Sequence, residues 1–274
     1  GAMRFSYENG DQLIDLLKHP DDKRIKDTDF GTYTNEKFSF DLLNFNDGRP
    51  LSPEQKILVS KSFETIQWLA FHNVKFEPIY SRQSFLKDGK YIFWGGLTLA
   101  SENEGVGLFD QELAAFLSLG GKIHYNSPVT KLIFQNKKVS GVLVNNKSVE
   151  ADAVILASGG FEANDELRKL FIGDDWLKAK VRGTPNNTGD GLKMALDIGA
   201  IKHGLFDGCH ATPMDLHMKN YGGLDLEPGE RKNYRKICYF LGIMINANGK
   251  RFLDEGKNFR NYTYAQYGRK VLEQ

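Results

Sequence analysis

The stretch Ala153-Val154-Ile155-Leu156-Ala157, followed at once by Ser158-Gly159-Gly160, decides the reading of this chain. Its apolar residues run together without alternation. A strand with one wet face alternates apolar and polar side chains, whereas a strand buried on both faces of a largely parallel sheet reads as a continuous apolar run. The run therefore predicts an internal strand of an α/β sheet, ended abruptly by glycine. Ligands of open α/β sheets bind at the carboxyl ends of the strands. Ala157, Ser158, Gly159 and Gly160 thus form a first candidate site, and the competing reading is a tight turn that holds nothing.

Upstream of that strand, Thr130 to Gln135, Val139 to Val144 and Ser148 to Glu150 read as a small antiparallel meander. Asn136-Lys137-Lys138 and Asn145-Asn146-Lys147 supply its turns. Ile123-His124-Tyr125 reads as a short strand. Before it, Asp110 is placed to cap a helix bearing Leu113, Phe116 and Leu117, with Gly120-Gly121 as its stop. Ser52-Pro53-Glu54-Gln55 has the composition of a helix start, with a cap, a first-turn proline and a capping-box glutamine. Val59, Phe63, Ile66 and Ala70 follow at helical spacing. Tyr91, Phe93 and Trp94 fall in an aromatic-rich loop. Residues 4–50 show a short helix over Asp11 to Leu17 and no core-forming pattern of their own. Gly1-Ala2-Met3 reads as the scar of a cleaved purification tag.

Downstream, Asn164 to Phe171 reads as a helix. Asn187-Thr188-Gly189-Asp190-Gly191 opens another, which ends at Gly199. Free N–H groups in such a first turn can hold an anion or a polar ring edge. Thr188 and Asp190 can equally do no more than cap. From about residue 205 the texture changes. Ile237 to Asn246 reads as a strand, 246–249 as a turn and Arg251-Phe252-Leu253 as a partner strand.

Composition narrows the function classes. The chain has 274 residues, 41% hydrophobic and 26% charged, with a formal net charge of +1. Such a balance suits a soluble globular protein and lacks the concentrated basic face of a nucleic-acid binder. The local run from Glu230-Arg231-Lys232 to Tyr234-Arg235-Lys236 reads as a solvated loop. Cys209 and Cys238 fit no metal spacing and no disulfide framework, which favours a reducing, cytoplasmic compartment. No apolar run reaches the length of a membrane span. No metal site is expected. Neither an internal repeat nor a low-complexity tract occurs.

Two glycine patterns bear on nucleotide binding. Gly105-Val106-Gly107 is weak, because it does not follow a strand. A full Gly-x-Gly-x-x-Gly between a first strand and its helix is absent from the sequence.

Together these segments carry a family resemblance. The run from Gly107 through the meander to Val154-Ile155-Leu156-Ala157-Ser158-Gly159-Gly160-Phe161 resembles the flavin-binding domain of the fumarate reductase and succinate dehydrogenase flavoproteins. Arg182-Gly183-Thr184-Pro185-Asn186-Asn187-Thr188-Gly189-Asp190-Gly191 resembles the tricarballylate dehydrogenase branch. So does Gly249-Lys250-Arg251-Phe252-Leu253-Asp254-Glu255 with Phe259-Arg260-Asn261-Tyr262. The implied architecture is α/β with α+β elements. A partial Rossmann-like FAD-binding domain with its antiparallel meander spans 4–204, and part of a substrate-capping domain spans 205–274. The early dinucleotide loop does not occur in the sequence, so the chain reads as an internal piece of a longer protein.

The resemblance also implies a chemistry. Hydride moves between FAD and one carbon of a substrate C–C bond, and an arginine handles the proton on the other carbon. Val129 would meet the adenine, and Ala157 to Gly160 with Thr188, Gly189, Asp190 and Gly191 would line the cofactor. His210 would bind substrate and Arg260 would move the proton. Arginine is a poor acid because its pKa exceeds about 12, so Arg260 needs a relay, for which Glu255 and Asp254 stand nearby in sequence. Two departures matter. One more residue separates Glu255 from Arg260 than in typical fumarate reductases. Arg235-Lys236 also stands where those enzymes carry a threonine-glutamate pair. Both move the expected substrate from fumarate toward a tricarballylate-like di- or tricarboxylate.

The alternatives are a reductase of fumarate or another unsaturated acid, or a ketosteroid dehydrogenase-like enzyme; an electron-transfer partner is expected beside the small carboxylic-acid substrate. A different class of reading is a folded, non-catalytic piece that binds no FAD and purifies colourless. An unrelated α/β binding module sharing only glycine turns is the last.

Overall fold

In the computed structural model, residues 1–46, 48–204, 206, 208–221, 225–227 and 230–274 are described, without the side chains of Arg231 and Lys232. The basic run at 230–236 and the module boundary near 205 therefore fall partly outside the described residues. The chain divides by contacts into two units, Gly1–Ile123 and His124–Gln274.

The first unit runs through α1 (Asp11–Ile14), β1 (Thr28–Asp29), α2 (Asn35–Phe45), α3 (Pro53–Phe71), β2 (Phe76–Pro78), α4 (Tyr80–Gln83), β3 (Ser84–Lys87), β4 (Lys90–Phe93), β5 (Leu99–Ser101) and α5 (Glu104–Ser118). The start of α3 is the reciprocal capping box that its sequence implies: Gln55 N–H donates to Ser52 Oγ, and Ser52 N–H to Gln55 Oε1. Each bond satisfies a donor that the first helical turn would otherwise leave open. Val59, Ile66 and Leu69 turn inward from this helix.

They meet a core built largely from the segment that seemed to lack one. Phe5, Tyr7, Leu13, Phe30, Tyr33 and Phe38 are buried beside Phe76, Phe93 and Leu99. Tyr7 and Tyr33 pair in an isolated bridge, Phe5 and Phe30 lie on irregular chain, and Leu13 and Phe38 on separate helices, so no single period of 2 or 3.6 links them. Ala2 and Ser101 tie the first residues to β5, through an Ala2–Ala100 bridge and a bond from Ser101 N–H to Gly1 O.

Two expectations fail in this unit. The aromatic-rich loop is a hairpin, β3 pairing antiparallel with β4. Its turn is Asp88-Gly89, both at positive φ, the type I′ geometry for which Asp-Gly is the preferred pair. The second helix begins at Glu104 after Asn103, so Asp110 lies inside it and Gly105-Val106-Gly107 forms its first turn. Its αL stop at Gly120 stands as read.

The second unit opens with β6 (Val129–Gln135), β7 (Lys138–Val144) and β8 (Lys147–Glu150), a meander in that order. Both of its hairpins turn on two positive-φ residues, Asn136-Lys137 and Asn145-Asn146. Then follow α6 (Asp165–Ile172), α7 (Asp190–Asp197) and α8 (Arg260–Leu272), joined by long irregular chain. α7 packs on β6, burying Met194 and Leu132.

The decisive strand is where the sequence misleads most. Residues 153–157 form no strand; Ile155 is 89% and Leu156 42% exposed. Continuous apolar character specifies burial on both faces, and that needs a sheet around the strand with helices packed on each face. No described strand pairs with this run. Residues 123–125 are likewise irregular and exposed. The hairpin expected from 237 to 253 reduces to one bridge, Ile245 to Arg251, around a turn whose Gly249 N–H donates to Asn246 O.

Candidate functional site

Polar ties hold the irregular chain of the second unit. Arg168 on α6 is 4% exposed and donates to Trp176 O and Ala179 O, fixing the turn that follows its helix. Lys180 donates to Leu216 O and Met218 O, while Asn220 Oδ1 accepts from Val181 N–H. These bonds bring residues 213–221 alongside 180–181, and neither segment has a periodic pattern that announces it.

The two glycine segments singled out in the sequence are brought together. Gly189 N–H donates to Gly160 O at 3.0 Å, Ala163 N–H to Asn187 O at 3.0 Å, and Asn164 Nδ2 to Thr188 O at 3.0 Å. Asn187 Nδ2 donates to Glu162 Oε1. A Cβ added at Gly189 would stand 2.5 Å from Leu167, and one at Gly191 2.3 Å from Ser158 Oγ. Glycine at these positions thus serves first to pack one segment against the other, rather than to leave room for a ligand.

The polar edge of this junction remains open. The N–H groups of Ser158, Gly159 and Gly160 bond to no described residue. Gly189 caps α7 in an αL conformation, and no side chain accepts from the first turn of that helix. The Thr188 hydroxyl donates to the Asp190 carboxylate at 2.8 Å instead of the backbone capping that Thr188 could have provided. Uncapped first-turn N–H groups and the positive end of the helix dipole suit an anionic or polar ligand. Ala157 lies exposed on the same segment, and Val129 stands apart on β6, paired with Val144.

His210 and Arg260 converge on α8. His210 Nε2 lies 3.0 Å from the Tyr264 hydroxyl, with the rings edge to face. Arg260 and Tyr264 are one turn apart on that helix and share a face. The His210 pKa is lowered, first by desolvation and then by the positive charge of Arg182, which favours the neutral imidazole. Arg260 is half-buried, and its backbone carbonyl accepts from the Tyr239 hydroxyl at 3.4 Å.

Among the described residues, neither Glu255 nor Asp254 bonds to Arg260. Glu255, 3% exposed, takes two bonds from Arg251, at 2.9 and 2.6 Å, and one from Met244 N–H. Those bonds hold its carboxyl below the ordinary glutamate value, the Met244 N–H first. Asp254 lies 3.5 Å from Arg251, and its backbone carbonyl accepts from Tyr267. Lys236 is also committed, 3.1 Å from Asp215. Among the described residues, no group of His, Cys, Asp and Glu is placed to hold a metal ion, and no helix is long and apolar enough to cross a membrane.

The family model described as FAD binding domain matches residues 28–274. The chain belongs to the FAD binding domain family. FAD is the cofactor of that family, and the mixed helices and sheets of this chain are the family's fold. An NADH:acrylate oxidoreductase of Vibrio harveyi is 26% identical over 72% of the chain, which covers 19% of that relative. A 3-oxosteroid 1-dehydrogenase of Mycobacterium tuberculosis is 30% identical over 54% of the chain and is covered to 26%. The open conformation of a flavocytochrome c3 fumarate reductase is matched over the whole chain at 20% identity, with a TM-score of 0.64, and this chain covers 43% of it. This chain thus spans about a fifth to a quarter of those curated relatives' length.

Proposed function

We propose that the chain is the flavin-contacting and substrate-facing part of an oxidoreductase that acts on a C–C bond of a small carboxylic acid, tricarballylate-like in charge. When bound, FAD supplies hydride exchange with one substrate carbon. The residues of this chain do the rest. The open N–H groups at 158–160 and at the start of α7, with Thr188 and Asp190 beside them, hold the polar edge of the cofactor. Val129 meets its adenine from β6. His210 binds a substrate carboxylate, and Arg260 moves the proton at the carbon that hydride does not reach. Residues 4–204 are the cofactor side of this division and 205–274 the start of a cap. A cytoplasmic location and a separate electron-transfer partner complete the proposal.

The observation that carries it is the junction itself. Segments 158–160 and 187–191 are bonded through Gly189 N–H and Gly160 O, while the N–H groups of Ser158, Gly159 and Gly160 and of the first turn of α7 bond to no described residue. Burying such donors without a partner costs about 1–3 kcal/mol each, so they are kept for water or a ligand. The Arg260 guanidinium donates to Asn261 Oδ1 at 3.5 Å, and the Tyr239 hydroxyl donates to the Arg260 backbone carbonyl. Tyr239 has its pKa raised chiefly by burial, and Arg260 acts on it in the opposite direction. Proton traffic at Arg260 therefore runs through phenols or water in this reading. A reductase of a smaller unsaturated acid is the second reading, favoured by the similarity to a protein named for acrylate.

The test is FAD added to the 15N-labelled chain. Amide shifts concentrated at 158–160 and 188–191 support the site. Shifts scattered over the chain, with none at those positions, reject it.

A further inference from the structure

We propose that Tyr264 is the positioning residue of His210, its hydroxyl donating to Nε2 so that the imidazole keeps its proton on Nδ1. The inference rests on the reading of His210 as a substrate-binding group. Its basis is the contact at 3.0 Å between Nε2 and the phenol oxygen, with ring centroids 5.4 Å apart and planes at 70°. A phenol is a stronger donor than acceptor, and a neutral imidazole offers one accepting nitrogen. The bond therefore selects the Nδ1–H form, the less common one for a free histidine side chain. Which nitrogen carries the proton is set by the partner of the other nitrogen. His210 then meets a carboxylate as a neutral N–H donor rather than as a cation.

The backbone around the pair is registered by the same helix. A Cβ at Gly268, one turn beyond Tyr264, would stand 2.5 Å from Ala211 C and 2.6 Å from Thr212 N. Only glycine lets the 211–212 backbone lie that close to α8. Arg260, Tyr264 and Gly268 fall at i, i+4 and i+8 on one face. One face of α8 thus carries the proton-handling arginine, the tyrosine that orients the histidine, and the glycine that seats the histidine's segment. Desolvation and the charge of Arg182 both disfavour the imidazolium and so agree with a neutral donor.

Long-range 1H–15N spectra of the imidazoles, recorded at pH 7.5 on the wild-type chain and on Tyr264→Phe, test this. His210 is assigned by its loss in His210→Gln. The phenylalanine keeps the ring packing and removes only the hydroxyl. The expected result is an Nδ1–H tautomer in the wild type that reverts to Nε2–H in Tyr264→Phe, with His72 and His124 unchanged. The same His210 tautomer in both proteins overturns the proposal. Tricarballylate added to the wild-type chain separates the two levels. A His210 signal that responds to Tyr264→Phe and not to the acid keeps the tyrosine contact and removes the substrate reading.

Discussion

The two units stabilise themselves differently. Gly1–Ile123 closes a core in which Tyr7, Tyr33, Phe5, Phe76, Leu13 and Leu99 are each less than 2% exposed. His124–Gln274 buries fewer large side chains, Trp176, Met218, Tyr239 and Tyr267 among them, and leaves Ile155 at 89% and Ile201 at 92% exposed. Backbone-to-backbone junctions, a buried arginine and close glycine approaches do much of its holding. The first unit rests on side-chain packing. Polar ties give the second unit open donors, and every residue proposed for cofactor or substrate lies there.

Core deletion separates the units most sharply. Phe76→Ala is expected to cost about 3–5 kcal/mol, as buried phenylalanine deletions do. Ile155→Ala, apolar but exposed, is expected to fall within about 0.5 kcal/mol of wild type. Urea unfolding of both variants measures the contrast, and equal losses would break it.

Overpacking at a glycine contact is the next largest effect. In Gly268→Ala the helix-propensity gain of about 1 kcal/mol is set against a clash with rigid backbone at 2.5 Å. Backbone cannot rotate away, so the clash wins, for a net loss of about 1–3 kcal/mol. Faster modification of the Cys209 thiol would show that the 209–212 segment has lifted from α8. An unchanged rate and an unchanged urea midpoint would mean that the close approach does not hold the segment.

The smallest effect is electrostatic. Asp215 accepts from His217 N–H and His217 Nδ1 and pairs with Lys236, and its pKa falls from 3.8 to about 2. A depressed carboxyl contributes stability that is complete above its unfolded value and is lost as pH falls through the folded one. The protection of the His217 amide, taken relative to its intrinsic exchange rate at each pH, is therefore expected to fall between pH 3.8 and about 2, and this limb should vanish in Asp215→Asn. A limb that survives the substitution assigns the effect elsewhere.

Much of the local structure is legible in the sequence, because local chemistry decides it. The Ser52–Gln55 capping box, the asparagine turns of the meander and the αL stops at Gly120 and Gly199 all stand as read. The Asp88-Gly89 hairpin carried its signal too, hidden by the surrounding aromatics. The misreadings share one physical cause. Residues 153–157 announce burial, but burial is a property of neighbours. Glu255 is near Arg260 in sequence and bonds to Arg251 instead. The site is legible as a set of segments, since glycines and Thr188-Gly189-Asp190 mark themselves. It is not legible as contacts, since the His210–Tyr264 bond joins residues 54 positions apart.

The proposed reaction is flavin-linked, with its proton moved by Arg260. Its most direct measurement uses the gene expressed with its flanking sequence, as wild type and as Arg260→Gln. Anaerobic flavin absorbance is followed on addition of tricarballylate and smaller carboxylic acids. Bleaching is expected in the wild type, and Arg260→Gln is expected to keep its flavin without bleaching. No bleaching with any acid, or full bleaching in Arg260→Gln, would contradict it.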